Sequence, residues 1–341
     1  MKNTFRFMIC AITIFVCLSG TALAKEKLVV YTSLENEEVV EYLALARKQM
    51  PDLDIQAIRL STGELGARML AEKDNPQHDV IFGWGGTNTA EFKNKGMLQP
   101  YKPKGWDIIP AHFKDPEGYW TGMSLYGSAF IYNKRVIEKK NLPIPKSWAD
   151  LLNPVYKGQL IMPNPASSGT GFLMIAGLLA TMDPDYKNKS IKDNKAWDYL
   201  KKLDKNMGQY IKSGSKPAKL TAAGEYAVGL SFAFVHLLLT RKGFPVGIVI
   251  PAEGFAFEME VSSLPKGSRN VAGAKRFLDF AISKPVAEIN SKYKLGVSYP
   301  GFSGPDVLPK LADMKLMKMD FSWQAEHRSE IANVWTSLFQ N

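Results

Sequence analysis

The sequence predicts an α/β fold built on a largely parallel sheet, and three observations carry that expectation. Short apolar runs alternate with amphipathic helical patterns along most of the chain. Several of these runs end in small hydroxyl or glycine residues immediately before the next helix. No short-period repeat or low-complexity tract breaks the alternation. In such sheets ligands bind beyond the carboxyl ends of the strands, so the small polar loops mark where a site is expected.

The elements follow in order. Leu28 to Tyr31 reads as a buried strand ending in Thr32-Ser33, and the next helix carries Val39, Leu43, Ala46 and Met50 on one face, with Glu37, Glu38, Glu41, Arg47 and Lys48 on the other. Pro51 stops it. Asp54 to Leu60 is a second strand, ending in Ser61-Thr62-Gly63 before a helix at Glu64 to Lys73. Asp79 to Phe82 is a third, followed by a loop at Gly83 to Thr87 and a helix at Thr89 to Lys95. Further strands are expected at Gly127 to Tyr132, Gln159 to Met162, Val228 to Ser231 and Val246 to Ile250. Helices are expected at Trp148 to Leu152, Gly171 to Thr181, Lys195 to Lys205, Val235 to Thr240 and Ala272 to Ile282. A final helix carries Trp323, Ile331, Val334, Trp335 and Leu338.

Residues 1–24 read as a secretory signal peptide, with Lys2 and Arg6 as its basic start, an apolar run from Phe7 to Leu18, and Ala22-Leu23-Ala24 before the cleavage point. The run is too short to span a membrane. A soluble periplasmic protein beginning near Lys25 is therefore expected. Cys10 and Cys17 both lie in the leader, so the mature chain is expected to hold neither a disulfide nor a thiolate metal ligand. With 341 residues and 45% apolar composition, the chain is long enough for two cores. No Pro/Gly/Ser-rich linker divides it, which is reconciled if the chain crosses between two domains more than once, as at a hinge. The formal charge of +10, less the two of Lys2 and Arg6, leaves +8. That surplus either steers an anion or serves solubility, and no aromatic-basic nucleic-acid motif accompanies it.

The segment Ile161 to Phe172 carries the most chemistry. Ser167, Ser168 and Thr170 offer hydroxyls, Gly169 and Gly171 allow close backbone approach, and the following helix aims its positive end at the same spot. The turn is either an anion cradle or an ordinary Ser/Thr N-cap. Ser213-Gly214-Ser215-Lys216-Pro217 is a second anion-binding candidate. Enzymatic signatures do not match: Ser168 is not in a Gly-x-Ser-x-Gly elbow, and neither a Walker loop nor His-Glu-x-x-His occurs. His78, His112, His236 and His327 lack metal-ligand spacing. No catalytic residue, metal or cofactor is expected.

At this level of detail the chain resembles the periplasmic substrate-binding proteins of ABC importers, in the ferric-iron and organophosphate branch of the extracellular solute-binding proteins. The matching stretches include Val30-Tyr31-Thr32-Ser33, Ser61-Thr62-Gly63-Glu64, Asp115-Pro116-Glu117-Gly118-Tyr119-Trp120, Pro145 to Leu152, Ser168-Gly169-Thr170-Gly171, Gly224-Glu225 and Pro251-Ala252-Glu253-Gly254. The resemblance implies a periplasmic-binding-protein-like II fold: two α/β lobes joined by two hinge strands, with ligand in the cleft. Crossings near Thr121 to Tyr126 and Ile250 to Phe257 give one lobe of residues 25–122 plus 255–341 and another of 123–254. Thr32, Ser33, Ser61, Thr62, Trp84 and Gly85 would then line one wall, and Ser167, Ser168, Gly169 and Thr170 with Glu225 the other. Ser213 is a further ligand candidate. Glu225 and Glu253 suit hydroxyl or ammonium groups, or else form hinge or surface salt bridges.

Iron-binding members resemble one another in a tyrosine pair after the Gly-Glu motif. Here that stretch, Val228 to Phe234, has no phenol, and Phe232 and Phe234 cannot replace tyrosinate. Hexose-phosphate members are similar in the Ser-Gly-Ser-Lys-Pro stretch but carry a histidine just before it, where this chain has Leu203-Asp204-Lys205-Asn206. Phosphonates such as 2-aminoethylphosphonate stay open. The expected function is capture of a small anionic solute, phosphate ester or phosphonate, by a monomer that delivers it to an inner-membrane permease. The alternatives are ferric iron carried with an anion, and a ligand-sensing lobe for a chemoreceptor or kinase.

Overall fold

The strands follow one continuous order that divides the protein into two halves meeting on one long strand. The computed structural model describes residues 25–308 and 314–340, so the expected leader, with Cys10 and Cys17, lies outside the described residues.

The first half is wound from β1 (Glu26–Thr32), α1 (Asn36–Gln49), β2 (Leu53–Arg59), α2 (Thr62–Ala71), β3 (Val80–Gly85), α3 (Gly86–Asn94) and the short β4 (Leu98–Gln99). β1 pairs in parallel with both β2 and β3. Its alternation explains why it sits centrally: Leu28 and Val30 face one apolar cluster, while Val29 and Tyr31 face another. The helix after β1 starts at a capping box, in which the Glu38 side chain reaches back to the Glu35 N–H.

β5 (Thr121–Asn133) then crosses to the second half. There α4 (Lys134–Lys139), β6 (Leu160–Pro163), α5 (Gly169–Met182), α6 (Ala196–Asp204), β7 (Met207–Ile211), α7 (Lys216–Ala223), β8 (Val228–Phe232), α8 (Ala233–Arg241) and β9 (Val246–Val249) form the other lobe. The chain returns through β10 (Phe257–Pro265), α9 (Val271–Ala281), α10 (Lys284–Asn290) and β11 (Gly296–Val297), and ends in α11 (Phe321–Phe339).

β5 changes partners partway along. Thr121 to Gly127 pair with β10, whereas Ser128 to Tyr132 pair with β8. At the change a Cβ built on Gly127 would lie 1.9 Å from the Phe255 ring, so only glycine fits where the two crossing strands touch. Residues 314–320 form a third crossing segment: Phe255 N–H donates to Lys315 O and Met317 N–H to Phe255 O. The sequence led us to expect two crossings.

Other differences are local. β3 continues through Trp84 and Gly85, where a loop was expected, because Trp84 is fully buried in the second apolar cluster against Phe92. Trp148 to Leu152 gives a 3-10 turn rather than an α-helix. The last helix also departs from the division at residue 255: Trp323, Ile331 and Trp335 pack into the cluster that holds α5 and α6 of the second lobe.

Candidate ligand-binding cleft

Five helices begin at one pocket between the lobes. Their N-cap residues, Glu35 of α1, Ser61 of α2, Gly85 of α3, Ser168 of α5 and Phe232 of α8, all line it. This follows from the topology, because every helix that succeeds a strand starts at that strand's carboxyl end. Each start directs a partial positive charge toward the same space, while Gly63 N–H of α2 is taken by Ser167 O and Thr87 N–H of α3 by Glu258. Ser33, Thr62 and Thr170 add hydroxyls around a cavity of about 50 Å³.

The walls touch. Gly63 N–H on α2 donates to Ser167 O at 2.9 Å. A Cβ on Gly169 would sit 2.8 Å from Thr62 Oγ1, and one on Gly63 would sit 2.6 Å from Ala166 O, so glycine on each side permits this approach. Glu35 grips both lobes: it pairs with Arg59 at 2.9 Å on its own side, and across the cleft accepts from Ser215 Oγ at 2.9 Å and pairs with Lys219 at 3.3 Å. The cleft is closed.

Beneath the hydroxyls lies an ion cluster. Lys294, 1% exposed, contacts Glu38 and reaches Glu260 at 2.7 Å, while Ser124 Oγ donates to the other Glu260 oxygen at 2.5 Å. Burial pushes the Glu38 carboxyl up to about 7 against the pull of Lys294, with Glu260 adding to the rise. Lys294 is held above its ordinary value, since Glu260 and Glu38 outweigh its burial. Tyr126, also at the pocket, is pushed well above the usual phenol range by burial and then by Glu258 and Glu260, so its hydroxyl is neutral.

The structure brings Ser33, Ser61, Thr62, Gly85, Ser168 and Thr170 together around this pocket. Four further expected residues stand behind it. Thr32 is fully buried and accepts from Leu34 N–H, Trp84 donates to Thr62 O, Ser167 makes the interlobe backbone contact, and Gly169 gives the close approach. Ser213 is one step back, where it accepts from Lys216 N–H at the start of α7.

Glu225 and Glu253 fall elsewhere. Gly224 ends α7 in the left-handed region, at φ 90°, and Glu225 follows it, exposed at the far end of that helix. Glu253 accepts the Trp148 and Ala149 N–H groups at 2.9 and 3.1 Å and so caps a 3-10 turn. Sequence reasoning missed Glu35, Glu38, Arg59, Tyr126 and Glu260. Glu35 carried a signal in its capping box with Glu38, but the rest are brought in by pairing across the sheet. Of the two phenylalanines at the tyrosine-pair position, Phe232 lines the pocket and Phe234 packs on Tyr293.

Comparison with known proteins agrees with this geometry. An uncharacterized protein of Haemophilus influenzae is 32% identical over 328 residues, covering 93% of this chain and 92% of that one. The periplasmic binding protein AfuA of Actinobacillus pleuropneumoniae, solved with exogenous fructose-6-phosphate bound, superposes with a TM-score of 0.84 at 30% identity, over 93% of this chain and 99% of that one. The periplasmic binding protein P5PA gives a TM-score of 0.82 at 26% identity, over 92% and 100% of the two chains. Residues 75–323 match the family described as bacterial extracellular solute-binding protein. With two lobes, a hinge and a polar cleft already in place, the chain belongs to that family, whose members bind a small solute and work with an ABC permease.

Proposed function

We propose that the protein captures, in the periplasm, a small solute bearing one tetrahedral oxyanion, of the phosphate-ester or phosphonate type, and delivers it to an inner-membrane permease. The observation that carries this reading is the convergence of five helix N-caps on one pocket already lined by Ser61, Thr62, Ser168 and Thr170. Hydrogen bonds to a charged oxygen contribute roughly 1.5 to 3 kcal/mol each, and helix N-termini supply positive potential without requiring a lysine at the anion. The likeness to a protein solved with a sugar phosphate supports the same ligand class. Ferric ion fits less well, because Phe232 and Phe234 stand at the tyrosine-pair position and the Tyr126 phenol resists ionisation. The mature chain acts as a monomer, its leader removed after Ala24, and its lobes close about the crossing strands.

Calorimetry with phosphate esters, phosphonates and ferric citrate tests the reading. Tight binding of at least one phosphoryl ligand is expected. Binding of bare ferric ion with a phenolate charge-transfer band, and of no phosphoryl ligand, would overturn it.

A further inference from the structure

We infer that Glu38, Lys294 and Glu260 form a subsite that reads a hydrogen-donating tail on the ligand, a hydroxyl or an ammonium group, opposite the oxyanion cradle. This rests on the reading of an oxyanion head given above. Glu38 and Glu260 both line the cavity, and a single ammonium, Lys294, serves the two of them. Each Glu260 oxygen accepts one bond, from Lys294 or Ser124, and each has a further lone pair. Glu38 Oε2 takes only a 3.2 Å bond from Glu35 N–H. The third carboxylate at the pocket, Glu35, is engaged by Arg59, Ser215 and Lys219.

An oxyanion with no tail would face the Glu260 carboxylate in this pocket, and the repulsion between the two is stronger away from bulk water. A donor placed between the head and the two carboxylates turns that repulsion into charge-assisted hydrogen bonds. Glu225 and Glu253, which the sequence offered for this task, are exposed and spent as a cap respectively. The trio takes over the role.

The test uses the mature wild-type protein and three phosphate monoesters of nearly equal size: n-propyl, 2-hydroxyethyl and 2-aminoethyl phosphate. At least one donor-bearing ester is expected to bind about tenfold more tightly than the propyl ester, and the two donor arms tell hydroxyl from ammonium. Equal affinity for all three overturns this inference while leaving the oxyanion reading intact. Binding of none overturns both. In Glu260→Gln, checked for folding by its thermal melt, the preference should shrink to less than about threefold. A folded variant that keeps the full preference removes the trio from recognition. If the variant does not fold, the wild-type comparison decides alone.

Discussion

Residues at the site separate into those whose role is local and those whose role is made by the fold. Ser61, Thr62, Ser168 and Thr170 line the pocket, and the sequence singled them out because a hydroxyl beside glycine at a strand end suits either a cap or an anion, a signal held within each short segment. Ser168→Ala and Thr170→Ala should each weaken phosphoryl binding by about tenfold in calorimetry, with Ser168→Ala also losing about 1 kcal/mol of stability because its hydroxyl caps Gly171 N–H; unchanged affinity in both would remove this turn from the site. Glu225 lies outside this pocket, because the left-handed Gly224 turns the chain away at the end of α7. Buried Glu258 was illegible altogether. It accepts from Thr87 N–H and Oγ1, and burial holds its carboxyl at about 7 against an ordinary 4.5, despite the Thr87 bonds. The folded state therefore keeps a proton that the unfolded chain has lost, and this group's contribution to stability falls as pH rises from 4.5 to 7. His78 runs the other way between 4 and 6.5, since burial pulls it down to about 4. Comparing wild type with Glu258→Gln cancels that background. Urea unfolding should show the variant gaining about 2 to 3 kcal/mol relative to wild type between pH 5 and pH 8, and a pH-independent difference would contradict the assignment.

Elements were legible wherever one face of period 2 or 3.6 was clean. β1, β2 and the helices α1, α2 and α5 fall within a few residues of expectation, while β5 begins at Thr121, well before the expected Gly127. β7 and β10 were not, because Met207 to Ile211 is half exposed and β10 carries Glu258, Glu260, Ser262 and Ser263 inward, where pattern reading demands apolar side chains. Of these, Glu260 lines the cleft and Glu258 accepts from Thr87. The approach of α2 to α5 yields an element-scale prediction. In Gly169→Ala the added methyl meets Thr62, so the lobes should stop short of full closure. Phosphoryl affinity should fall by about tenfold or more, and small-angle scattering with ligand should show a larger radius of gyration than the wild-type complex. Full compaction with unchanged affinity would refute the contact. α11 gives a second. Trp335 is 1% exposed and packs edge-on against Tyr210 at 5.1 Å. Trp335→Ala should cost about 3 to 5 kcal/mol in urea unfolding, and a loss below about 1 kcal/mol would show that the helix is not integral to the second lobe.

At the scale of the whole molecule, the length of the sequence pointed to two cores with the chain crossing between them, but local patterns do not encode what lies across the junction. α11 enters the core of the second lobe, yet its Arg328 stacks over Phe172 of α5 at 3.9 Å and lies 3.9 Å from Glu91 of α3 in the first. Such contacts join residues far apart in sequence, and no local pattern encodes them. Glu35 does the same from the cleft side by holding Ser215 and Lys219. The central claim is that helix N-termini from both lobes close around an oxyanion. A crystal structure of the protein grown with a phosphate monoester tests it most directly. The phosphoryl group is expected between the starts of α2 and α5, within hydrogen-bonding reach of Ser61, Thr62, Ser168 and Thr170. A phosphoryl group bound away from these residues, or a cleft occupied by ferric ion in its place, would contradict it.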